Sequence, residues 1–540
     1  MLSERPVANS VSRTHAKAAK TNSGIKPKPR TKRIRTVQGS CNQCLKHRVK
    51  CSLDKPACKR CLRNGVECNY DRFTLKWGKV LNIDTQADNK DGDRSTSGTS
   101  SNSGVYTFSG RNAKPLFTLI KSINDKGKRV VSVADNSNTG EIHHVSGPLN
   151  SAFELEYFRK VLIAKLHAFG KPLSEADMEV AKHSPVLQNL IGTLTAYHIH
   201  NTNPKLLSSE EVQRRKSESI QLLVEKIHQE TAESGSVTDL NDMEALLDAC
   251  ILMSTLDSVI DCTSFDIVPT HLFGARAILN EIIKRDPSFL LRRRGGSPLT
   301  SRLISIFVTM DLVYCILTGE STTCIPQEGW SNLSGCDCWF GTVNSDDPFL
   351  KVMEALSFLT NSQLLMKSNN LRGSIMPALE QTFGLLMELS CPTVASAWNI
   401  FVAGYADVGL IYYNRAILGA NIDDEHVQSI VGKFITRLNV GPQSPSRSGG
   451  DIYLLDHCLL LPLLVIGAHC IQESQQMFIR RWVGRAILSF KNIDSLFEYF
   501  DKLWSVTRIG PNTDPATTEG IRQMNWWNLF GEIAKKSIIF

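Results

Sequence analysis

Apolar residues recur every three or four positions over most of the chain beyond residue 150, and strict apolar–polar alternation is nearly absent. The first periodic segment begins at Ser151, which has the spacing of a capping box with Glu154, and a second begins at Ser208. The pattern predicts an all-α domain over residues 151–540. Its further helical segments are 244–261, 267–284, 299–318, 347–366, 372–389, 394–418, 424–438, 452–471, 476–506 and 518–537.

The chain before residue 150 lacks this periodicity. Residues 1–25 are polar and aperiodic, which predicts a disordered N-terminus. Residues 84–104 contain no aromatic or branched apolar side chain, so we expect a linker over residues 73–150. Within it, a weak alternation around Arg129–Val133, followed by the turn-forming residues 136–140, indicates a small hairpin.

One cysteine unit is written twice between residues 41 and 68. In each copy two cysteines are separated by two residues, and a third follows after six more. The residues between them repeat as well, because Leu45–Lys50 aligns with Leu62–Glu67. The six cysteines are Cys41, Cys44, Cys51, Cys58, Cys61 and Cys68.

This spacing favours zinc over disulfides. Two thiolates separated by two residues can reach one tetrahedral zinc ion, and six thiolates can complete two such sites only if two sulfurs are shared. A disulfide framework is the alternative. It is disfavoured because Met1–Lys20 lacks the apolar core that a secretory signal has, and because the cysteines lie among lysines and arginines. The stretch therefore predicts a zinc module.

The charge of the chain is uneven. The formal net charge is +8, but residues 1–72 contain 18 Lys and Arg against 4 Asp and Glu, or +14, which leaves −6 for the rest. A basic head suits a polyanion, and only the first cysteine copy carries a strongly basic segment. We expect that segment to face the phosphates and bases of double-stranded DNA. Its residues are Lys46, His47, Arg48 and Lys50.

A second basic run covers residues 26–35. It predicts a nuclear localisation signal within a basic N-terminal region, residues 1–35, and a DNA-backbone-contacting arm is the alternative. The expected localisation is the nucleus. The basic residues of the run are Lys26, Lys28, Arg30, Lys32, Arg33 and Arg35.

Cys41–Cys68 resembles the binuclear zinc cluster of fungal transcription factors, at all six cysteines and at the loop proline Pro56. The resemblance implies a DNA-binding module over residues 36–72, two Zn²⁺ per chain, and bridging roles for the first and fourth cysteines, Cys41 and Cys58. It also implies that Arg48, where many members have lysine, reads a CGG triplet in the major groove.

The helical part is similar, more diffusely, to the second type of fungal-specific regulatory domain. The similarity lies in residues 183–190, 271–279 and 307–317. The fold class is thus mostly α, with a small zinc module and a large all-α regulatory domain over residues 151–540. The resemblance implies that the helical domain regulates the module.

Two other groups of residues allow a site but favour ordinary packing. Cys324, Cys336 and Cys338 could bind a metal or sense redox state, yet their spacing is no known ligand pattern, so buried or loop cysteines are favoured. The aromatic run Met524–Phe530 could form a ligand pocket or a partner-binding face, but helical spacing favours a core face.

Two histidine clusters could hold a metal. Glu141 with His143 and His144 is one, and His198 with His200 is the other. Neither has a further partner at helical spacing, so surface or capping histidines are favoured.

No nucleophile elbow, phosphate loop, dinucleotide fingerprint or zinc-protease motif occurs, so we expect no enzyme. The sequence predicts a sequence-specific DNA-binding regulator of RNA polymerase II genes. A homodimer through the helical domain, coregulators or a small-molecule effector are further partners that this architecture allows, and no membrane partner is expected. The alternatives are a zinc-stabilised interaction module that does not bind DNA, and a metabolic enzyme carrying a zinc module.

Overall fold

The structure is a computed structural model in which the chain forms two compact units, Met1–Thr74 and Leu75–Phe540. In the first unit it describes Cys44 and residues 51–66 except 53, 55 and 56. In the second it describes the backbone of three strands between residues 117 and 148, and then residues 150–538. Gaps in the latter range are 233–239, 264–267, 294–295, 369–371, 443–449, 486–489 and 508–523.

In the first unit Cys44 is helical, and the helix α1 spans Lys59–Asn64. The predicted disordered N-terminus lies outside the described residues.

A three-stranded antiparallel sheet lies within the predicted linker. Its strands are β1 (Phe117–Ile123), β2 (Arg129–Asp135) and β3 (Val145–Pro148), in the order β1-β2-β3. Val133 of β2 stands opposite Leu119 and Val145. The weak alternation around Arg129–Val133 thus marks the central strand, and β1 is a partner that the sequence did not reveal.

The second unit confirms the predicted all-α domain over its described residues beyond 150. Its helices pack around one continuous apolar core. They are α2 (Ser151–Tyr157), α3 (Glu179–His183), α4 (Pro185–Thr202), α5 (Ser209–Ala232), α6 (Leu240–Thr255), α7 (Val268–Arg285), α8 (Pro298–Thr318), α9 (Pro348–Ser368), α10 (Arg372–Ser390), α11 (Ala397–Tyr412), α12 (Glu425–Val440), α13 (Gly450–His457), α14 (Leu460–Ala468), α15 (Glu473–Val483), α16 (Lys491–Thr507) and α17 (Trp526–Lys536).

Helix α8 is the central helix of this domain. Every residue from Leu299 to Thr318 is buried, because apolar or small side chains occur on all of its faces. Ser297 caps its N-terminus by accepting from the Thr300 amide, and Gly319 ends it in the left-handed region. Within the described residues it is the one helix long and apolar enough to cross a membrane, and here the whole of it is enclosed by the protein.

Three of the helices each end in a π-helical turn of their own. These turns are Phe158–Leu162 after α2, Leu256–Asp261 after α6 and Tyr413–Ile417 after α11. Each widens the helix by one residue and shifts the side chains that follow it. The first is followed by Ile163–Lys165, which places the Lys165 side chain inside the domain.

The helix boundaries depart from the sequence predictions at several places, among them the segment 452–471, which was predicted as one helix and is divided between α13 and α14. Asn150, rather than Ser151, caps α2 by accepting from the Phe153 amide at 2.9 Å, so the predicted capping box at Ser151 was wrong by one residue. The segment 476–506, predicted as one helix, is divided between α15 and α16. Helix α4 was missed, because it is buried nearly all round and so has no polar face to give a period.

Candidate metal centre

Three of the predicted zinc ligands converge in the first unit. The Sγ atoms of Cys44, Cys51 and Cys58 lie within 4.8 Å of one another, and those of Cys44 and Cys58 are 3.7 Å apart. All three side chains are buried. Within the described part of the chain this is the one group of three or more cysteine, histidine or acidic residues close enough to hold a metal ion together.

Helix α1 sets the positions of two cysteines. Cys58 is its N-cap, with extended backbone, and the Cys58 Sγ accepts from the Cys61 amide at 3.4 Å. Gly65 ends the helix at φ 61°, where its amide meets the carbonyls of the preceding turn. Cys58 and Cys61 are therefore held at opposite ends of one helical turn, with both sulfurs facing inward.

A serine that the sequence did not single out also positions the helix. The Lys59 amide donates to the Ser52 Oγ at 2.9 Å, which ties the start of α1 to the residue after Cys51. In the sequence, Ser52 is marked only by its position next to Cys51, and no spacing rule singles it out.

The spacing and the chemistry of these three cysteine sulfurs fit a zinc ion. Thiolates bound at about 2.3 Å to one tetrahedral zinc stand about 3.5–4 Å apart, which matches the Cys44–Cys58 separation. Three buried sulfurs with no carboxylate in the group are soft ligands, which favour zinc over the hard cations. A fourth thiolate would close the site, and a closed all-cysteine site is structural rather than catalytic.

The remaining predicted site residues lie outside the described residues. They are Cys41 and Cys68 of the zinc module, Lys46, His47, Arg48 and Lys50 of the DNA-binding segment, and Lys26, Lys28, Arg30, Lys32, Arg33 and Arg35 of the localisation signal. The histidine cluster at residues 141–144 lies outside as well.

The three cysteines singled out in the helical domain are packing residues, as favoured. Cys324, Cys336 and Cys338 are buried, and they form no metal-holding group with other described residues. Burial raises the pKa of the Cys338 thiol well above its ordinary value, which disfavours the reactive thiolate. The aromatic run is core as well, because Trp526 and Phe530 are buried and the Trp526 indole donates to the Ile316 carbonyl at 2.7 Å.

His198 is not a surface or capping residue, and that expectation was wrong. It is buried, with Nδ1 2.8 Å from the Tyr157 hydroxyl and Nε2 3.1 Å from the Lys165 ammonium. The reason is that α4 is enclosed on nearly every face. His200 does contact a loop, since its Nδ1 lies 2.9 Å from the Leu207 carbonyl.

Family models match both parts of the chain. The fungal-specific transcription factor domain matches residues 153–537, which is well over half of the chain. The fungal Zn(2)-Cys(6) binuclear cluster domain matches residues 39–76, a range that includes the three converging cysteines described above. No curated protein and no solved structure matches the chain.

The two matches occur in the order expected of one architecture, with a zinc-binding, DNA-binding module followed by a helical regulatory domain. Neither alternative, an interaction module without DNA binding or a metabolic enzyme, is favoured by them. The chain belongs to the family of fungal-specific transcription factors with a Zn(2)-Cys(6) cluster, and it is a DNA-binding transcription regulator.

Proposed function

We propose that the zinc cluster of this regulator holds two Zn²⁺ through all six cysteines and reads CGG-type triplets in DNA. The observation that carries the proposal is the double position of Cys58. Its sulfur lies in one group with Cys44 and Cys51, and it also begins the helical turn that holds Cys61. A sulfur in that position can serve two metals, one with Cys44 and Cys51 and the other with Cys61. Cys41 is the second bridge, and Cys68 completes the second site.

Arg48 is the residue that reads the base. It lies four residues after Cys44, in the one strongly basic segment of the cluster. An arginine forms two hydrogen bonds with O6 and N7 of guanine, which no other base offers in the major groove. Lys46, His47 and Lys50 flank it and contact the phosphates, which fixes the register of the module on the duplex without reading sequence.

The helical domain regulates the module in the nucleus. Transcription factors of this family act in the nucleus, and residues 26–35 supply a basic localisation signal. Coregulators, an effector or a second copy of the chain bind the helical domain. The protein has no catalytic role, which agrees with the absence of a catalytic motif from the sequence.

The test compares Arg48→Ala with Lys50→Ala in the full-length protein. Binding is measured to a duplex with a CGG triplet and to a duplex with that triplet scrambled, at two salt concentrations. Arg48→Ala should lose about 1–3 kcal/mol on the CGG duplex and little on the scrambled one. Lys50→Ala, the matched control, should weaken both alike and flatten the salt dependence. Equal losses for Arg48→Ala on both duplexes would contradict the base-reading role.

A further inference from the structure

Strand β1 is one edge of the three-stranded sheet. The strand order is β1-β2-β3, so β2 pairs with one side of β1, and no described strand pairs with the other side. At the opposite edge of the sheet, β3 packs against α2, and the chain continues from β3 into that helix. The sheet therefore joins the helical domain at its β3 edge, and β1 is the edge opposite.

The backbone of β1 is competent to pair with a further strand. Its seven residues all pair with β2, from Phe117 opposite Asp135 to Ile123 opposite Arg129, without a bulge. In an antiparallel ladder alternate residues bond to one neighbour, so the remaining N–H and C=O groups of β1 lie along the open edge. Proline and glycine, which block or weaken strand pairing, do not occur in β1. Such an edge is a template for another strand.

The strand is complementary to a second copy of itself. Ile120 is the middle residue of Phe117–Ile123, so an antiparallel pair with a two-fold axis at Ile120 uses all seven residues of both strands. Lys121, the one charged residue of β1, then stands opposite Leu119 and not opposite another lysine. The other pairs are apolar with apolar or hydroxyl with hydroxyl, which are favourable across strands. They are Phe117 with Ile123, Thr118 with Ser122, and Ile120 with its own copy.

A shift of the axis by one residue removes this match. With the axis at Lys121, the two lysines stand opposite each other, and the first two residues of each strand lose their partners. With the axis at Leu119, Lys121 stands opposite Phe117, and the last two residues of each strand lose their partners. The register centred on Ile120 therefore has the most pairs and no like-charge pair.

We propose that two copies of the chain dimerise by pairing their β1 strands antiparallel about Ile120. The two sheets then form one sheet of six strands in the order β3-β2-β1-β1-β2-β3, and neither β1 strand remains an edge. The contact is isologous, because the same residues lie on both sides of the two-fold axis. The dimer goes beyond the proposed function, because recognition of one CGG triplet by one zinc cluster does not need it.

Dimerisation brings two zinc clusters into one molecule. A duplex with two CGG triplets is then bound at two places, and the second binding event is intramolecular. The wild-type protein should therefore bind paired triplets at least about ten-fold more tightly than a single triplet. This consequence, unlike the dimer itself, rests on the proposed base recognition.

Sedimentation equilibrium of the full-length protein without DNA tests the contact. Residue 120 stands opposite its own copy, so Ile120→Lys and Ile120→Glu each place like charges opposite each other. We expect each variant alone to be monomeric at concentrations where the wild type is dimeric. An equimolar mixture of the two variants should be dimeric again, because a lysine then stands opposite a glutamate.

Ser146→Lys is the matched control. Ser146 stands opposite Ser132, which in turn stands opposite Ile120, so the three residues lie in one row across the sheet. The variant adds the same charge to β3, two strands away from the two-fold axis. It should therefore remain dimeric.

A second pair of variants covers the case in which a charge at Ile120 prevents folding. Thr118→Lys with Ser122→Lys places like charges opposite each other in the dimer, whereas Thr118→Lys with Ser122→Glu places opposite charges there. Both proteins carry two substitutions at the same polar residues. Only the first should be monomeric.

A monomeric wild-type protein would overturn the proposal. A dimer that persists in every like-charge variant would overturn it as well, because the contact would lie elsewhere, and so would a mixture of folded Ile120 variants that stays monomeric. Binding to duplexes with one and with two triplets is measured separately. Ile120→Lys should bind a single triplet as tightly as the wild type and lose the gain on paired triplets. A wild-type protein that dimerises but has no preference for CGG would contradict the proposed function alone.

Discussion

Arg415 donates its Nε–H to Nε2 of His469 at 3.2 Å, inside the helical domain. His469 Nδ1 lies 2.7 Å from the Val465 carbonyl, so Nδ1 carries the proton and the imidazole is neutral. The same guanidinium donates to the carbonyls of Ala420 and Met524, the latter at 2.6 Å. One buried arginine thus joins the π-helical turn after α11 to the end of α14 and to the chain just before α17.

This arrangement predicts that the free energy of unfolding depends on pH through the protonation of His469. Burial, and then the charge of Arg415, lower its pKa to about 3 from an ordinary value near 6.5. The unfolded chain therefore binds a proton between these values and the folded chain does not. The stability that His469 contributes is complete above about pH 6.5 and is lost as pH falls toward 3, by about 1.4 kcal/mol for each pH unit.

The measurement is urea unfolding of the wild type and of His469→Gln at pH 7.5, 6.5 and 5.5. The difference in the free energy of unfolding between the two proteins should narrow on acidification by about 1.4 kcal/mol between pH 7.5 and 5.5, and most of that change should fall below pH 6.5. His167, His457, Asp248 and Asp456 also have shifted pKa values, but they are common to both proteins and cancel in the difference. A constant gap would contradict the neutral buried imidazole.

The zinc cluster should contain two zinc ions per chain and depend most on its bridging sulfurs. Cys58→Ala should reduce the zinc content of the full-length protein more than Cys68→Ala, because we propose that the Cys58 sulfur serves both metals. Elemental analysis of the purified proteins measures the content. One zinc per wild-type chain, or equal losses in the two variants, would contradict the bridging role.

Gly319 should not tolerate a side chain. Its φ of +60° lies in the left-handed region, and a Cβ added there would stand 2.5 Å from the Trp527 ring. Gly319→Ala should lower the free energy of unfolding by about 2–4 kcal/mol, from backbone strain and overpacking together. Gly432→Ala is the matched control. It lies inside α12 with nothing outside the helix near its Cβ, so it should raise stability by about 1 kcal/mol. Denaturant unfolding measures both changes in the free energy of unfolding, which should have opposite signs.

A buried ion cluster should make Lys216 essential for stability. Its Nζ lies 2.5 Å from Asp257 and 2.6 Å from Asp261, and His271 Nε2 lies 2.7 Å from Asp257. Burial alone would raise the pKa of Asp257, but the neighbouring charges of His271 and Lys216 outweigh it and hold that pKa below its ordinary value. Lys216→Met removes the cation that the two buried carboxylates share and should lower the free energy of unfolding by about 3–5 kcal/mol.

The control for Lys216 is an exposed ion pair. Lys182 stands 3.3 Å from Glu175 at the surface, where water and salt screen the interaction. Lys182→Met should therefore leave the free energy of unfolding nearly unchanged. Denaturant unfolding at neutral pH compares the two variants, and equal small effects would show that the buried cluster adds nothing.

The sequence by itself determined the zinc module and the helical class of the second unit. Both depend on local spacing. Cysteines two residues apart reach one metal whatever surrounds them, and amphipathic helices such as α12 show their period in the chain itself. The limits of α8, α9 and α12 lie within two residues of the predicted segments for that reason.

Only the tertiary structure decided what is buried with what. Helix α4 was invisible because burial on nearly all faces removes the polar side that gives a helix its period. The partners of its His198 lie 33 and 41 residues away in the chain, and Arg415 reaches Met524 across 109 residues. Contacts of this kind carry no fixed spacing, because the packing of whole helices brings them together.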